Sequence, residues 1–285
     1  KGITMRIFYP LTALFIGILL FSSDVESQLS IDTDIAILKA QSDEGNAYAK
    51  FYLGTLYFKG KGVNQDYNKA IQLFKEASDG GDASATFNLG IIYAKGRGVD
   101  VDEKKAFDYY KKAAFGGLAE AQFNYALWLR EGRVGEANPI EAVEWFRASA
   151  NKNFDRSLIE LAKGYETGVA GRRDYREAVK LYRRARVNDD SRDNSPYLQA
   201  TFHLGRLYLK GLGVSQDTKK GIKFIREAAE GRVNIALVEM GRIYEEGRYL
   251  NKDLNSALIY FTRSKDNGFP ASEDDIIRVK KKLGY

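Results

Sequence analysis

Small residues recur in this chain at a fixed interval. Gly54, Gly90, Gly205 and Gly241 are separated by 36, 115 and 36 residues; Ala126 and Ala162 stand in the same register inside the long gap, leaving 43 residues to Gly205. The period is therefore 36 residues, with one seven-residue insertion. A period of this length predicts stacked supersecondary units, because a single unit cannot cover its own apolar face. Units begin near Asn46, Asp82, Leu118, Phe154, Tyr197 and Val233, which gives 46–81, 82–117, 118–153, 154–189, 197–232 and 233–268, with a partial unit at 269–285.

Each unit carries the same pattern. A first apolar set (Ala85, Phe87, Leu89, Gly90 and Tyr93 in unit two) has helical spacing. A glycine-punctuated turn follows, as in Lys95-Gly96-Arg97-Gly98-Val99 or Lys210-Gly211-Leu212-Gly213-Val214. A second helical set comes next (Ala106, Tyr110, Ala113, Ala114), and Gly80-Gly81 or Gly116-Gly117 closes it in the left-handed geometry that helix ends favour. Small residues at matching sites (Gly54, Ala77, Gly90, Ala113) predict close helix–helix approach. Only 4 prolines in 285 residues argue against a sandwich, and 44 % hydrophobic content with 13 % aromatics excludes a disordered chain. Ile31, Ile35 and Leu38 at helical spacing place an N-terminal cap over 28–45. In the last half-unit Glu273, Asp274 and Asp275 precede Lys280, Lys281 and Lys282, an order that suits the helix dipole and a polar cap.

Ala83, Ala85, Phe87, Leu89, Gly90, Tyr93, Gly96, Gly98 and Val99, followed by Lys105-Ala106, Tyr109-Tyr110-Lys111-Lys112-Ala113-Ala114 and Gly116-Gly117, closely resemble a Sel-1-like repeat, a relative of the tetratricopeptide repeat. Units one, two and five match best. Unit three departs at Ala126 and Val134-Gly135, unit four at Ala162 and Ala170-Gly171, and unit six at Tyr249-Leu250. The resemblance covers 46–285 and implies an all-α, right-handed α/α superhelical solenoid of about six helix-turn-helix repeats with a C-terminal capping helix. It also implies an adaptor whose first helices line a concave, partner-binding face. Mapped through the aligned glycine, that face would present Thr55, Phe58, Lys59, Ile91, Lys95, Leu127, Arg130, Glu131, Lys163, Arg206, Lys210, Arg242 and Glu246. Apolar members gather in units one to three and charges in later units, which suits an extended or helical peptide with acidic residues. The competing reading is that Phe58, Ile91 and Leu127 merely pack between helices.

The absence of cysteine excludes disulfides, iron–sulfur clusters, thiolate zinc sites and cysteine nucleophiles. His203, the single histidine, leaves little for a histidine metal site or a serine triad, and is read as a helix-surface variant of Asn88 and Asn124. No cofactor or metal is expected. Ser149-Ala150-Asn151-Lys152 matches the Ser-x-x-Lys of penicillin-recognising enzymes, and some members of the repeat family have been linked to penicillin binding. No Ser-Asp-Asn or Lys-Thr-Gly accompanies it, so no catalytic residue is assigned. The Lys-Gly-x-Gly turns lack the strand and Gly-Lys-Ser/Thr of a phosphate loop.

Unit four holds a basic run, Arg172, Arg173, Arg176, Lys180, Arg183, Arg184 and Arg186. Arg183 and Arg184 occupy positions that are basic in other units and are read as a solvated face. The excess at Arg172, Arg173 and Arg186 is read as marking an acidic partner or anionic lipid, and Arg172, Arg173, Arg183 and Arg184 as a contact with an anionic membrane surface. No repeated basic–aromatic pattern points to nucleic acid. Asp189 to Pro196 is a polar insertion, read as a tolerated surface loop in preference to a hinge or binding loop.

Met5-Arg6 opens a short basic start, Leu11 to Phe21 are uncharged, and Ser22 to Ser27 turn small and polar. This is the pattern of a secretory signal peptide over 1–27 with cleavage after Ser27; an uncleaved anchor at 7–21 is the alternative. The net charge of +6 is weak evidence for any partner. The chain is read as a periplasmic or secreted non-enzymatic adaptor for a protein or peptide, such as a sensor-kinase ectodomain or secretion component. A cell-wall or penicillin-binding protein is the alternative, and an ER-lumenal adaptor a third reading, disfavoured by the lack of any N-x-Ser/Thr site.

Overall fold

The computed structural model describes residues 34–187, 195–269 and 272–285, all helices and turns, with no strand among them. The signal segment at 1–27, the start of the N-terminal cap at 28–33 and Asp189–Asn194 of the insertion lie outside the described residues. No helix among those described is long and apolar enough to cross a membrane. Compact units divide at Leu73/Phe74, within α3 (Tyr67–Asp79).

In the first unit, α1 (34–43) buries Ile35 and half-buries Leu38. α2 (Ala47–Lys59) starts where Asn46 Oδ1 accepts the Ala49 amide at 3.1 Å and stops at Gly60, whose φ is 65°. The chain turns back through a bond from the Asp66 amide to the Tyr57 carbonyl, 3.0 Å, and Lys69 lies 4.7 Å over the Tyr57 ring.

From Phe74 onward the helices are α4 (Ala83–Lys95), α5 (Glu103–Phe115), α6 (Ala119–Glu131), α7 (Pro139–Asn151), α8 (Asp155–Thr167), α9 (Tyr175–Ala185), α10 (Pro196–Lys210), α11 (Thr218–Glu230), α12 (Asn234–Glu246), α13 (Leu254–Asp266) and α14 (Ser272–Leu283). Each even-numbered helix from α4 to α12 packs on its successor to form a repeat, and each repeat packs on the next: the all-α solenoid. The apolar core along it falls into three clusters that overlap in the helices they draw on. One cluster joins α4 to α11, a second α10 to α12, and a third α12 to α14.

Two devices set the repeat geometry. At each interhelix turn an Asp or Asn caps the second helix, and its own amide bonds back to the first: Asp102 to Tyr93 (2.9 Å), Asn138 to Leu129 (2.8 Å), Asp174 to Tyr165 (3.0 Å), Asp217 to Tyr208 (2.9 Å) and Asp253 to Tyr244 (3.0 Å). Between the helices, the small first-helix residue faces a large one. A Cβ on Gly90 would lie 2.6 Å from the Tyr110 ring, and one on Gly241 would lie 2.6 Å from Phe261. Phe261 and Tyr182 are fully buried, each worth about 2–3 kcal/mol of apolar transfer.

In the closing pairs the second glycine takes the left-handed geometry, Gly81 at φ 89° and Gly117 at φ 85°. Gly116 is right-handed (φ −68°), and the left-handed place is taken by Asn153 and Arg232 elsewhere.

Candidate interaction surface

In the first unit Thr55 is half-buried with its hydroxyl donating to the Phe51 carbonyl (3.0 Å), Phe58 is half-buried 5.4 Å from Tyr67, and Lys59 is exposed. Along 74–285, Ile91 and Leu127 are half-buried against the core cluster, while Lys95, Lys210 and Arg242 are exposed, without an ion pair among the described residues. Arg206 is half-buried, its guanidinium 5.9 Å over the Phe202 ring. Arg130 and Lys163 are both drawn to one carboxylate, Glu160: Arg130 by a short ion pair and Lys163 at 2.9 Å.

That convergence belongs to a ladder across successive first helices. Relative to the aligned small residue, the side chain four positions on in one repeat meets the one two before or the one after in the next. Arg130 meets Glu160, which also holds Lys163. Glu166 stands 3.7 Å from His203 Nδ1. Glu245 accepts from Arg278 (2.8 and 2.7 Å) and Lys282 (2.7 Å), and Arg278 also holds Asp275 at 2.6 Å. Burial pushes the Glu160 carboxyl up, but the charges and hydrogen bonds of Lys163 and Arg130 outweigh it and hold it below the ordinary range. Hydrogen bonds from Arg278 and Lys282 bring Glu245 down to about 2.

His203 corrects the sequence reading: it is 7 % exposed and no surface variant. The imidazole stacks on Tyr182 (centroids 4.9 Å apart, planes parallel), and Tyr182 donates to Glu166 at 2.5 Å. Asn88 and Asn124 in the same register are only half-buried; the larger ring reaches back over the preceding repeat and is covered there. Burial, then the charges of Lys163 and Arg206, press the imidazole down to about 3 and keep it neutral. Burial likewise raises the Tyr182 phenol.

The basic run is also corrected in part. Arg186, read as excess charge for a partner, is spent inside the chain. It donates to Thr201 Oγ1 (2.7 Å) and Tyr197 OH (2.9 Å), approaches Glu227 at 3.5 Å, and lies over the Phe224 ring at 4.4 Å. Arg183 reaches Tyr208 OH at 3.0 Å, and Arg184 reaches the Ala150 carbonyl at 3.0 Å and Asn153 at 2.7 Å, so both tie repeats together as well as facing solvent. Arg172 and Arg173 stay exposed. Ser149 is fully buried, donating to the Ala119 carbonyl (2.8 Å) and accepting from Ser157 (2.7 Å), whereas Lys152 bonds the Gly117 carbonyl. The Ser-x-x-Lys spacing therefore joins repeats and offers no accessible nucleophile. Among the described residues no group of three or more His, Cys, Asp or Glu is placed to hold a metal.

Sequence reasoning missed Glu160, Glu166 and Glu245. Their signal was the register itself, since acidic residues four after or two before the aligned glycine face the neighbouring repeat.

Stretches 47–82, 83–117, 119–154, 156–186, 198–232 and 234–269 each match the model of the Sel1 repeat. Among solved structures, the chain resembles a protective antigen of uropathogenic Escherichia coli strains that displays an SLR fold, with 27% identity, a TM-score of 0.69 and coverage of 85% of this chain and 50% of that one. The chain thus spans half the antigen's length. A Sel1 repeat protein from Oxalobacter formigenes shares the fold at 24% identity and a TM-score of 0.64, over 85% of this chain and 99% of that one. No curated protein matches.

Proposed function

The chain belongs to the Sel1 repeat family, whose repeats generally mediate protein–protein interaction, and from that premise we propose that it is a non-enzymatic adaptor, exported to the cell envelope, that binds an acidic segment of a partner protein along its first-helix face. The observation that carries this reading is the state of the cations on that face. Arg130 and Lys163 are neutralised within the chain by Glu160, but among the described residues Lys210 and Arg242 are exposed and unpaired, and Arg206 has no carboxylate within ion-pair distance. Arg242 also lines a groove of about 560 Å³ between α12 and α14, whose carboxylates are already taken: Glu245 by Arg278 and Lys282, Asp275 by Arg278 and Glu246 by Arg248. Cations left uncompensated beside satisfied carboxylates fit an acidic partner. Export rests on the sequence of residues 1–27, and an envelope partner such as a sensor-kinase ectodomain or secretion component belongs to the same reading.

Crosslinked capture from envelope fractions with the full chain tests it, using the variant Arg206→Glu, Lys210→Glu, Arg242→Glu as control. One protein held by the wild type and lost by the variant, at equal helical content by circular dichroism, is the expected result. Equal recovery by both would remove the first-helix face from the reading. A mature mass that begins after Ser27 would support export through a cleaved leader.

A further inference from the structure

Unit six breaks the repeat at one backbone position. Gly62, Gly98 and Gly213 occupy the same turn position with φ of 72°, 76° and 70°, and Tyr249 takes it with φ of 70°. A side chain in the left-handed region is strained unless its surroundings hold it there. In unit five the equivalent residue cannot carry a side chain at all, because a Cβ on Gly213 would lie 2.3 Å from the Tyr175 carbonyl oxygen at the start of α9. In unit six the Tyr249 ring and Leu250 instead stand off from the start of α11, and a groove of about 470 Å³ opens between them, within the range of ligand-binding pockets. Ile222, buried at 6 % exposure, forms the floor with Leu250.

The groove follows one face of α11, and its charges are ordered. Lys219, Lys223 and Arg226 succeed one another at intervals of one helical turn, about 6 and then about 4.5 Å along the axis. Among the described residues Lys219, Lys223 and Arg226 have no ion pair; the two lysines are exposed, and Arg226 is half-buried near Tyr260. Of the two carboxylates, Glu227 is occupied by Tyr197 (2.8 Å) and Arg186; Glu230 lies at the far end. A fatty-acid anion would satisfy one cation and leave two. An extended peptide sets side chains of one face about 6.6 Å apart and turns the alternate ones the other way. That spacing matches Lys219 to Lys223 on the α11 side and leaves the alternate side chains to the Tyr249–Leu250 wall opposite.

We propose that the α11 groove, walled by Tyr249, is a second docking site that takes an extended peptide of alternating acidic and apolar residues. It lies on a second helix and does not depend on the first-helix reading.

Fluorescence anisotropy with the full chain and a labelled peptide of alternating glutamate and leucine tests it. Lys219→Glu with Lys223→Glu should weaken binding at least tenfold. Tyr249→Gly should weaken it about fivefold while helical content is kept, because glycine accepts the turn but removes the wall. Arg206→Glu, Lys210→Glu, Arg242→Glu should leave this affinity unchanged, which separates failure here from failure of the first-helix face. Three outcomes overturn the proposal: affinity unmoved by the lysine reversals, equal binding of an alternating lysine–leucine peptide, or laurate binding with the same sensitivity to the variants while the acidic peptide does not bind.

Discussion

His203 shows what one buried titratable group does to an array of this kind. The imidazole lies between Tyr182 and Glu166 with the charges of Lys163 and Arg206 nearby; burial and those cations together outweigh the one carboxylate. Its folded value of about 3 lies below the unfolded 6.5, so below pH 6.5 the unfolded chain binds a proton that the folded chain refuses. Stability then falls as pH drops from 6.5 towards 3, by about 1.4 kcal/mol for each pH unit. His203→Asn, which installs the residue units two and three carry, should lower stability at pH 7 through lost ring packing and remove that slope. Urea unfolding of both proteins between pH 7 and 5 checks this, and parallel curves would show that the imidazole is not held neutral. At this scale the sequence misled, because register alone assigned His203 to a surface. Whether a position is covered depends on the residue facing it from the previous repeat, here Tyr182, 21 positions earlier.

At the scale of the helix, most of the architecture was legible. The glycines at the first-helix ends, Gly96, Gly132, Gly211 and Gly247 among them, adopt φ of 63–68° and stop those helices where the spacing placed them. The turns that departed from the repeat, Val134-Gly135 and Ala170-Gly171, keep their left-handed residue by moving it one place, to Gly135 (φ 111°) and Gly171 (φ 115°). Close approach was equally visible as a small residue every 36 positions, and it has an energetic consequence. The Tyr110 ring that fills the space over Gly90 is itself fixed between Phe87 (5.5 Å) and Trp128 (5.2 Å), so it cannot swing aside. Gly90→Val should therefore separate α4 from α5 and cost about 3 kcal/mol, at the upper end for overpacking. A lower urea midpoint at an unchanged slope would report it, and an unshifted midpoint would mean that α5 can slide. What could not be read was partnership across repeats. Arg130 with Glu160 and Glu245 with Arg278 stand 30 and 33 positions apart, and each pairing depends on how one repeat is rotated on the next.

Along 74–285 the array is held by contacts between neighbours, so its weakest junction sets how far a perturbation travels. The seven-residue insertion lengthens the connection between α9 and α10, and it is here that polar side chains cross in number. Arg183 bonds Tyr208, Tyr182 stacks on His203, and Arg186 alone spans α10 and α11 through Tyr197, Thr201 and Glu227. A guanidinium with several partners in a half-buried setting contributes on the order of 3 kcal/mol, more than an exposed pair would. Arg186→Ala should uncouple the two sides of this junction while leaving each able to stay folded. Native-state hydrogen exchange reads the result directly: in the variant residues 195–269 should lose protection ahead of 83–185, whereas the wild type should protect both together. If the variant instead opens as one unit, the coupling resides in the apolar cluster that runs from α4 through Leu204, Leu207 and Phe224, and the arginine serves only to fix the angle at which α10 meets α9.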